Sequence, residues 1–263
     1  MTEEQNAAIK GRVKAQFAAT AANYVVSKGH ASGDDLARLV VLAAPTEDDI
    51  ALDIATGGGH TALAVAQTAG TVVASDFTQK MLLTARDFIS SKGMANVTYA
   101  LADAEDLPFA DHVFSLVTTR IAPHHFPDTR AYIHEVARVL EPGGRFLLED
   151  SVVPEGEAGD LLNHIEKLRD GSHVRSATEA EWLALLADAE FEVVSIELYR
   201  KEHELEQWIG RANANADDVR AAWANAAPAT KEFYDLVYNA DGSVYSYSDD
   251  KAVILARKPL STY

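Results

Sequence analysis

Three aspartates stand at the ends of short apolar runs, where a carboxylate can reach a bound ligand. They are Asp53, Asp76 and Asp103. A carboxylate attracts cationic groups and accepts hydrogen bonds from hydroxyl and amine groups. If the apolar runs are parallel strands, the three acids meet at one edge of the sheet, beyond the carboxyl ends of the strands, where ligands bind in such sheets. The spacing therefore predicts a polar ligand site.

A glycine-rich loop follows the first of these acids. Gly57, Gly58 and Gly59 lie between Asp53 and a predicted helix over 61–67. Glycine has no Cβ, so it can take a positive φ and let a ligand approach the backbone closely. A strand, a tight loop and a helix N-terminus in this order predict that the ligand lies across the loop.

The loop by itself leaves two cofactor classes open. Residues 57–62 fit the Gly-x-Gly-x-x-Ala dinucleotide fingerprint, and Asp76, nineteen positions after Gly57, stands where such a site has its ribose-binding acid. Against a nicotinamide cofactor, the carboxylate of Asp53 would repel a pyrophosphate but attract an ammonium or sulfonium group. Asp103 could accept a hydrogen bond from an adenine amine. The structural alternative for Asp53 is a helix N-cap or a loop hydrogen bond.

His124 and His125 are the candidate catalytic residues. They follow a predicted strand over 113–118, and imidazole titrates near neutral pH. A general base is needed only if the reacting group must lose a proton. The alternative is a loop scaffold that caps the next helix. Adjacent histidines rarely converge on one ion, so we expect no metal site.

Strands and helices alternate along the chain, which is typical of an open α/β fold. Strands are predicted over 50–54, 71–75, 97–101, 113–118, 145–149, 191–199 and 251–258. Helices are predicted over most of 3–44 with a break near 27–30, over 61–67 and 79–92, and after the N-caps Asp128 and Thr178. The order predicts a doubly wound, mostly parallel, seven-stranded sheet.

We expect one domain over residues 1–263, because neither a linker nor a low-complexity segment divides the chain. Within it, residues 1–45 would form a helical lid, 46–150 the cofactor-binding core, and 151–263 the substrate-side inserts and the final strands.

Composition narrows the classes of partner. A formal net charge of −17 disfavours binding to nucleic acid or to anionic membranes. The absence of cysteine excludes disulfides, thiolate metal sites and a thiol nucleophile. The sequence shows neither a signal-peptide pattern nor an apolar run long enough to span a membrane, so we expect a cytoplasmic protein.

Four segments together resemble the class I S-adenosylmethionine-dependent methyltransferases, most closely the branch of the ubiquinone and menaquinone C-methyltransferases. The segments are 52–59, 75–82, 102–109 and 138–144. They fall in the order of that family, and the final two strands resemble its antiparallel hairpin at the sheet edge. The resemblance implies a Rossmann-like methyltransferase fold with S-adenosyl-L-methionine as cofactor. It departs at Ala55, where many members have glycine.

The resemblance also assigns parts of the cofactor to residues. The backbone of the glycine loop would lie under the methionine portion, whose ammonium Asp53 would hold, while Asp76 would bind the ribose hydroxyls. The adenine would lie against Phe77 and Met81, although both side chains also suit plain helix-to-sheet packing. The cofactor-binding residues implied in this way are Tyr24, Asp53, Ala55, Thr56, Gly57, Gly59, Asp76, Phe77, Met81, Asp103, Ala104 and Arg120.

Two later segments are candidates for the acceptor side. The run 163–170, with 172–175 after it, resembles a substrate-side insert of some small-molecule methyltransferases, and it also fits a solvated amphipathic helix. Four aromatic residues fit either an acceptor pocket or the core of a small helical cap: Trp208, Trp223, Phe233 and Tyr234.

The sequence as a whole predicts methyl transfer from S-adenosylmethionine to a small-molecule acceptor by in-line displacement. The alternatives are an NAD-dependent oxidoreductase, which would leave Asp103 without a role, and a non-catalytic S-adenosylmethionine-binding protein. The acceptor atom and the oligomeric state, a homodimer included, are left open by the sequence.

Overall fold

The computed structural model describes residues 2–26, 34–210, 212 and 215–260. One mixed sheet forms the centre of the fold. Its strands are β1 (Ile50–Ile54), β2 (Thr71–Asp76), β3 (Val97–Leu101), β4 (Phe114–Arg120), β5 (Leu140–Val152), β6 (Glu192–Glu204), β7 (Val237–Tyr238) and β8 (Val244–Arg257). Their order is β3-β2-β1-β4-β5-β8-β6, with β7 beside β8.

Strands β3, β2, β1, β4 and β5 run parallel to one another. Strand β8 pairs antiparallel with β5 on one side and with β6 on the other. The predicted doubly wound, mostly parallel sheet with an antiparallel edge is thereby confirmed. The short β7 is an eighth strand that the sequence did not predict. Since β1 lies between β2 and β4, Asp53 at its carboxyl end is at the middle of the site-forming edge.

Helices cover both faces of the sheet. They are α1 (Glu3–Val26), α2 (Asp34–Ala43), α3 (His60–Ala66), α4 (Gln79–Ser91), α5 (Thr129–Val139), α6 (Glu157–Arg169), α7 (Glu179–Asp188), α8 (Leu205–Ile209), α9 (Ala216–Ala224) and α10 (Pro228–Phe233), with a 3₁₀ helix over Pro123–His125. None of the described helices is both long and apolar enough to cross a membrane.

Two apolar clusters lie on opposite faces of the sheet, because successive side chains of a strand point to opposite sides. Leu52 of β1 packs with α5 and α7, whereas Ala51 packs with α2, α3 and α4. A third cluster joins α6, α8 and α9 to one end of β8 and is built around Trp208 and Trp223. This third cluster forms a helical cap on the sheet.

Several local predictions are confirmed. The side chain of Asp128 accepts a hydrogen bond from the backbone of Ala131. Thr178 and Glu181 form a capping box with both of its hydrogen bonds. The predicted break of the N-terminal helices near 27–30 falls outside the described residues.

Strand five differs from its prediction. The predicted strand starts at 145, whereas β5 begins at Leu140 opposite Phe114 and includes residues 141–144. The pairing register then shifts between Phe114 and Leu116, and Gly143 takes a φ of 83°. A glycine in the left-handed region lets the strand continue through an irregularity that other residues would resist.

Candidate functional site

A cavity lies beyond the carboxyl ends of β1, β2 and β4, under helix α1. Its wall brings together strand ends, the glycine loop and the 3₁₀ helix. The lining residues are Val13, Phe17, Asp53, Ala55, Thr56, Gly57, Gly58, His60, Thr61, Asp76, Phe77, Thr78, Met81, Arg120, Ile121, Ala122, His125 and Phe126. Eight of the twelve predicted cofactor-binding residues are in this set.

Asp53 is almost completely enclosed, with 2 % of its surface exposed. Its Oδ2 accepts a hydrogen bond from the hydroxyl of Thr56 at 2.7 Å, and its Oδ1 accepts one from the hydroxyl of Thr118 at 2.8 Å. Burial raises the pKa of Asp53 to about 6, although both hydroxyls favour the ionised form. A buried carboxylate of this kind is stabilised by a cationic ligand.

Asp76 organises the glycine loop from the neighbouring strand. Its Oδ2 accepts a hydrogen bond from the backbone N–H of Gly57 at 3.0 Å, and its Oδ1 accepts one from that of Thr78 at 2.8 Å. Burial raises the pKa of Asp76 to about 6, and the charge of Asp53 acts in the same direction. The two acids therefore share one cavity and oppose each other's ionisation.

The loop glycines have different roles. Gly57 takes a φ of 54°, and a Cβ there would meet nothing closer than the Ala55 carbonyl oxygen at 3.9 Å, so its backbone faces the cavity. Gly59 is not a lining residue, and a Cβ there would lie 3.0 Å from side-chain atoms of Ala85 and Ile89. The close contact of α3 with α4 and the left-handed φ of 85° both account for the glycine at position 59.

Ala55 also takes a left-handed conformation, with a φ of 54°. This conformation costs a residue with a Cβ about 1–2 kcal/mol. The resemblance gave glycine at this position for many members, and the backbone angle supplies the physical reason.

Arg120 at the end of β4 is held on two sides. Its Nε donates to the hydroxyl of Thr61 at 3.1 Å, and its Nη1 donates to the Asp35 carboxylate of α2 at 3.0 Å. The next residue, Ile121, has a φ of 52° and donates its N–H to the carbonyl of Glu149. A positive φ is a marked outlier for a β-branched residue and turns the chain from β4 into the 3₁₀ helix.

The two candidate histidines have different environments. His125 lines the cavity, whereas His124 is not among the lining residues. The ring of His124 is 2.6 Å from the carboxylate of Asp150, which also accepts the backbone N–H of His124. Burial alone would lower the pKa of His124, but the charge of Asp150, its hydrogen bond and the charge of Glu166 together outweigh burial, so the pKa is raised.

His125 is held in its neutral form. Its Nδ1 lies 3.1 Å from the carbonyl oxygen of Ser172, and Phe17 packs against the ring edge-on at 4.9 Å. Burial, followed by the charge of His124, lowers the pKa of His125 to about 3. The ring facing the cavity is therefore uncharged at neutral pH.

Asp103 is outside the cavity wall and forms an ion pair with helix α1. Lys10 Nζ lies 2.6 Å from Asp103 Oδ2 and 2.6 Å from Glu105 Oε2. Ala104 is buried in the apolar core beneath and is not a lining residue. Residue 24 lies in α1, but the side chain of Tyr24 falls outside the described part of the structure.

The four late aromatic residues belong to the cap. Trp208, Trp223 and Tyr234 are members of its buried cluster, and Phe233 is about one-third exposed at its surface. Of the two roles left open by the sequence, the core of a helical cap is the one observed for Trp208, Trp223 and Tyr234.

Several cavity residues were not predicted. Val13 and Phe17 come from α1, and Ile121, Ala122 and Phe126 lie close to His125 in the chain. The sequence offered one signal for the partner of His125, since Ser172 lies in the segment that resembles a substrate-side insert. No local pattern indicated Lys10 or Asp35, because both ion pairs join distant parts of the chain.

The donor and acceptor groups of the wall fit a cofactor that carries an ammonium, two hydroxyls and an apolar ring. Buried carboxylates at Asp53 and Asp76 suit the ammonium and the hydroxyls, and Phe77 and Met81 offer an apolar surface. The open backbone at Gly57 admits a ligand without displacing a side chain.

Comparisons with known proteins identify the family. A family model described as a methyltransferase domain matches residues 52–148. The uncharacterised methyltransferase YcgJ of Bacillus subtilis is 35% identical over 235 residues, which is 88% of this chain and 93% of YcgJ. The ubiquinone/menaquinone biosynthesis C-methyltransferase UbiE of Teredinibacter turnerae is 35% identical over 163 residues, 58% of this chain and 65% of UbiE. A solved Bacillus halodurans structure described as a methyltransferase has a TM-score of 0.83 at 38% identity, covering 86% of this chain and all of that one.

Proposed function

The chain belongs to the class I S-adenosylmethionine-dependent methyltransferases, and we propose that it binds S-adenosyl-L-methionine in the described cavity and methylates a small molecule. The observation that carries this proposal is the pair of buried carboxylates, Asp53 and Asp76, on either side of an open glycine loop. A pyrophosphate would meet two acids there, whereas an ammonium and a ribose would meet complementary groups.

The residues of the wall take the following roles under this proposal. Asp53 binds the ammonium group, and Asp76 accepts hydrogen bonds from the ribose hydroxyls while it holds the loop through Gly57. Arg120, kept in place by Asp35, lies at the amino-acid end. The bound cofactor supplies an electrophilic methyl group on a sulfonium.

Under this proposal, the acceptor would lie against His125 and the apolar lining residues next to it, such as Phe17. The cofactor, held by Asp53 and Asp76, would supply the methyl group to the acceptor's lone pair, and the proton that an O–H or N–H acceptor loses would pass to water. The protein contributes alignment of the two reactants. His124, turned to Asp150, supports the 3₁₀ helix that positions His125.

Titration calorimetry with S-adenosylmethionine and with NAD⁺ tests the cofactor. We expect heat of binding with the first and none with the second. Asp76→Asn removes charge-assisted hydrogen bonds worth about 1.5–3 kcal/mol each, so the affinity should fall at least about tenfold. Asp87→Asn, a change at an exposed aspartate of α4, is the matched control and should bind as the wild type does.

Tight binding of NAD⁺ without binding of S-adenosylmethionine would overturn the proposal. Activity is tested by mass spectrometry of products from a panel of phenols, amines and quinones. Methylated product is the expected result. Binding of the cofactor with no product from any acceptor would favour the non-catalytic alternative.

A further inference from the structure

The loop after α6 places two polar residues behind His125. Ser172 Oγ donates its proton to Asp170 Oδ1 at 2.6 Å, and the backbone N–H of Ser172 donates to the same oxygen at 2.8 Å. Both residues are buried, with 3 % and 7 % of their surfaces exposed respectively. The loop is also attached to the 3₁₀ helix, since Val174 and Arg175 donate their N–H groups to the carbonyl of His124.

This arrangement determines which ring nitrogen of His125 carries the proton. Nδ1 lies 3.1 Å from the carbonyl oxygen of Ser172 and 3.2 Å from its Oγ. A carbonyl oxygen only accepts, and the hydroxyl has already given its one proton to Asp170. Both neighbours of Nδ1 are therefore acceptors, so Nδ1 must be the donor and Nε2 carries the lone pair.

Nε2 is the free end of this chain of hydrogen bonds. Within the described residues, no group forms a hydrogen bond with it. The Phe17 ring packs edge-on against His125, and the cavity-lining residues next to His125 in the chain, Ile121, Ala122 and Phe126, are also apolar. Next to these apolar side chains, a single accepting nitrogen favours a ligand that is mostly apolar there and has one donor.

We propose, on the basis of the proposed function above, that Asp170 and Ser172 are positioning residues that hold His125 as the Nδ1–H tautomer. Nε2 of the neutral ring then accepts a hydrogen bond from the O–H or N–H group of an uncharged, largely apolar methyl acceptor. The bond turns a lone pair of that oxygen or nitrogen toward the methyl group. An anionic acceptor is disfavoured, because Arg120 in the same wall is already paired with Asp35.

The tautomer can be measured without knowing the acceptor. Long-range ¹H–¹⁵N spectra of the full chain, labelled at histidine nitrogens, distinguish the two tautomers, and His125→Gln identifies the signal. We expect the Nδ1–H form in the wild type. In Asp170→Ala the freed hydroxyl of Ser172 can donate to Nδ1, so the Nε2–H fraction should rise. Asp170→Asn keeps an accepting oxygen and should behave as the wild type.

Two more variants separate this effect from a general loss of structure. Ser172→Ala keeps the carbonyl acceptor and should retain the Nδ1–H form. The double variant with Asp170→Ala and Ser172→Ala has no hydroxyl that could donate to Nδ1, so His125 should return to the Nδ1–H form. An Nε2–H or charged His125 in the wild type at pH 7 would overturn the proposal, as would no change of tautomer in a folded Asp170→Ala variant.

The acceptor preference is tested with phenol and toluene as probes, in the presence of saturating S-adenosylhomocysteine. Phenol should bind about fivefold more tightly than toluene and shift the Nε2 resonance, and His125→Leu should remove this preference. Equal binding of the two probes to the wild type would contradict the proposal even if Asp170→Ala does not fold. Failure of S-adenosylhomocysteine to bind would instead count against the proposed function, and the tautomer remains measurable in the ligand-free chain.

Discussion

At the scale of single residues, the site depends on placing two carboxylates where water is largely excluded. Asp53 and Asp76 are joined through the glycine loop, and burial raises the pKa of each to about 6. Burial disfavours the ionised form of Asp53 more strongly than the charge of Arg120 favours it, and a cationic ligand adds to that favourable charge. Protonation and cofactor binding are therefore coupled at these two residues.

This coupling gives a pH dependence of definite sign. A cationic cofactor binds the ionised acids, so its affinity should be constant above about pH 7 and should fall below pH 6, by up to about tenfold per pH unit for each acid. Binding near pH 6 should release protons. Calorimetry at pH 6 in two buffers of different ionisation enthalpy measures the release, and pH 8 serves as the control. Proton uptake at pH 6 would contradict the assignment.

Ala55 provides a separate test of the loop backbone. Because glycine has no left-handed penalty, Ala55→Gly should raise the free energy of unfolding by about 0.5–1 kcal/mol after the entropy of the unfolded chain is subtracted. Urea denaturation, monitored by circular dichroism, measures this change in the free energy of unfolding. Ala62→Gly in α3 is the contrast and should lower the stability by about 1 kcal/mol. Equal losses in both variants would show that the angle at Ala55 carries no strain.

At the scale of elements, helix α1 forms one wall of the cavity and is tied across it. Val13 and Phe17 face the cavity, Lys10 pairs with Asp103 and Glu105, and Lys14 lies 5.5 Å from the centre of the Phe77 ring. A ligand that enters the cavity must pass this helix or displace it. The ion pairs of Lys10 thus connect α1 to the segment of chain that follows β3.

Removing that connection should loosen α1. In Lys10→Ala, hydrogen exchange of the α1 amides should become faster, and S-adenosylhomocysteine should both bind and dissociate more quickly. Hydrogen–deuterium exchange with mass spectrometry and stopped-flow binding measure the two effects. Arg12→Ala, at an exposed position of the same helix, is the matched control. Unchanged exchange in Lys10→Ala would show that apolar contacts alone hold α1.

The elements also show which features a sequence can reveal. The unit of β1, loop and α3 was predicted because its signals are local: an apolar run, glycines and an acid in direct succession. The pairing of Lys10 with Asp103 and the contact of Ser172 with His125 join residues 93 and 47 positions apart. No periodicity encodes such contacts. The role of Trp223 stayed open for a related reason, since an aromatic side chain suits a ligand pocket and a core equally well.

At the scale of the whole molecule, strand β8 connects all three apolar clusters. Val244 and Tyr247 belong to the cap, Ile254 belongs to the cluster on one face of the sheet, and Val253 belongs to the cluster on the other face. His203 of β6 stacks on Tyr247 at 5.1 Å and strengthens the junction. A cap that shares its strands with the core cannot lose its packing without exposing part of the sheet.

We therefore expect the cap and the sheet to unfold in one cooperative transition. Trp223 is fully buried in the cap, so Trp223→Ala should lower the free energy of unfolding by about 3–5 kcal/mol. The loss should appear equally in far-ultraviolet circular dichroism, which follows the whole chain, and in near-ultraviolet circular dichroism, which follows aromatic packing. Phe233→Ala, at the partly exposed surface of the same cap, should cost much less. Two separate transitions, with only the aromatic signal shifted by Trp223→Ala, would show that the cap is an independent unit and that the chain does not fold as a single domain.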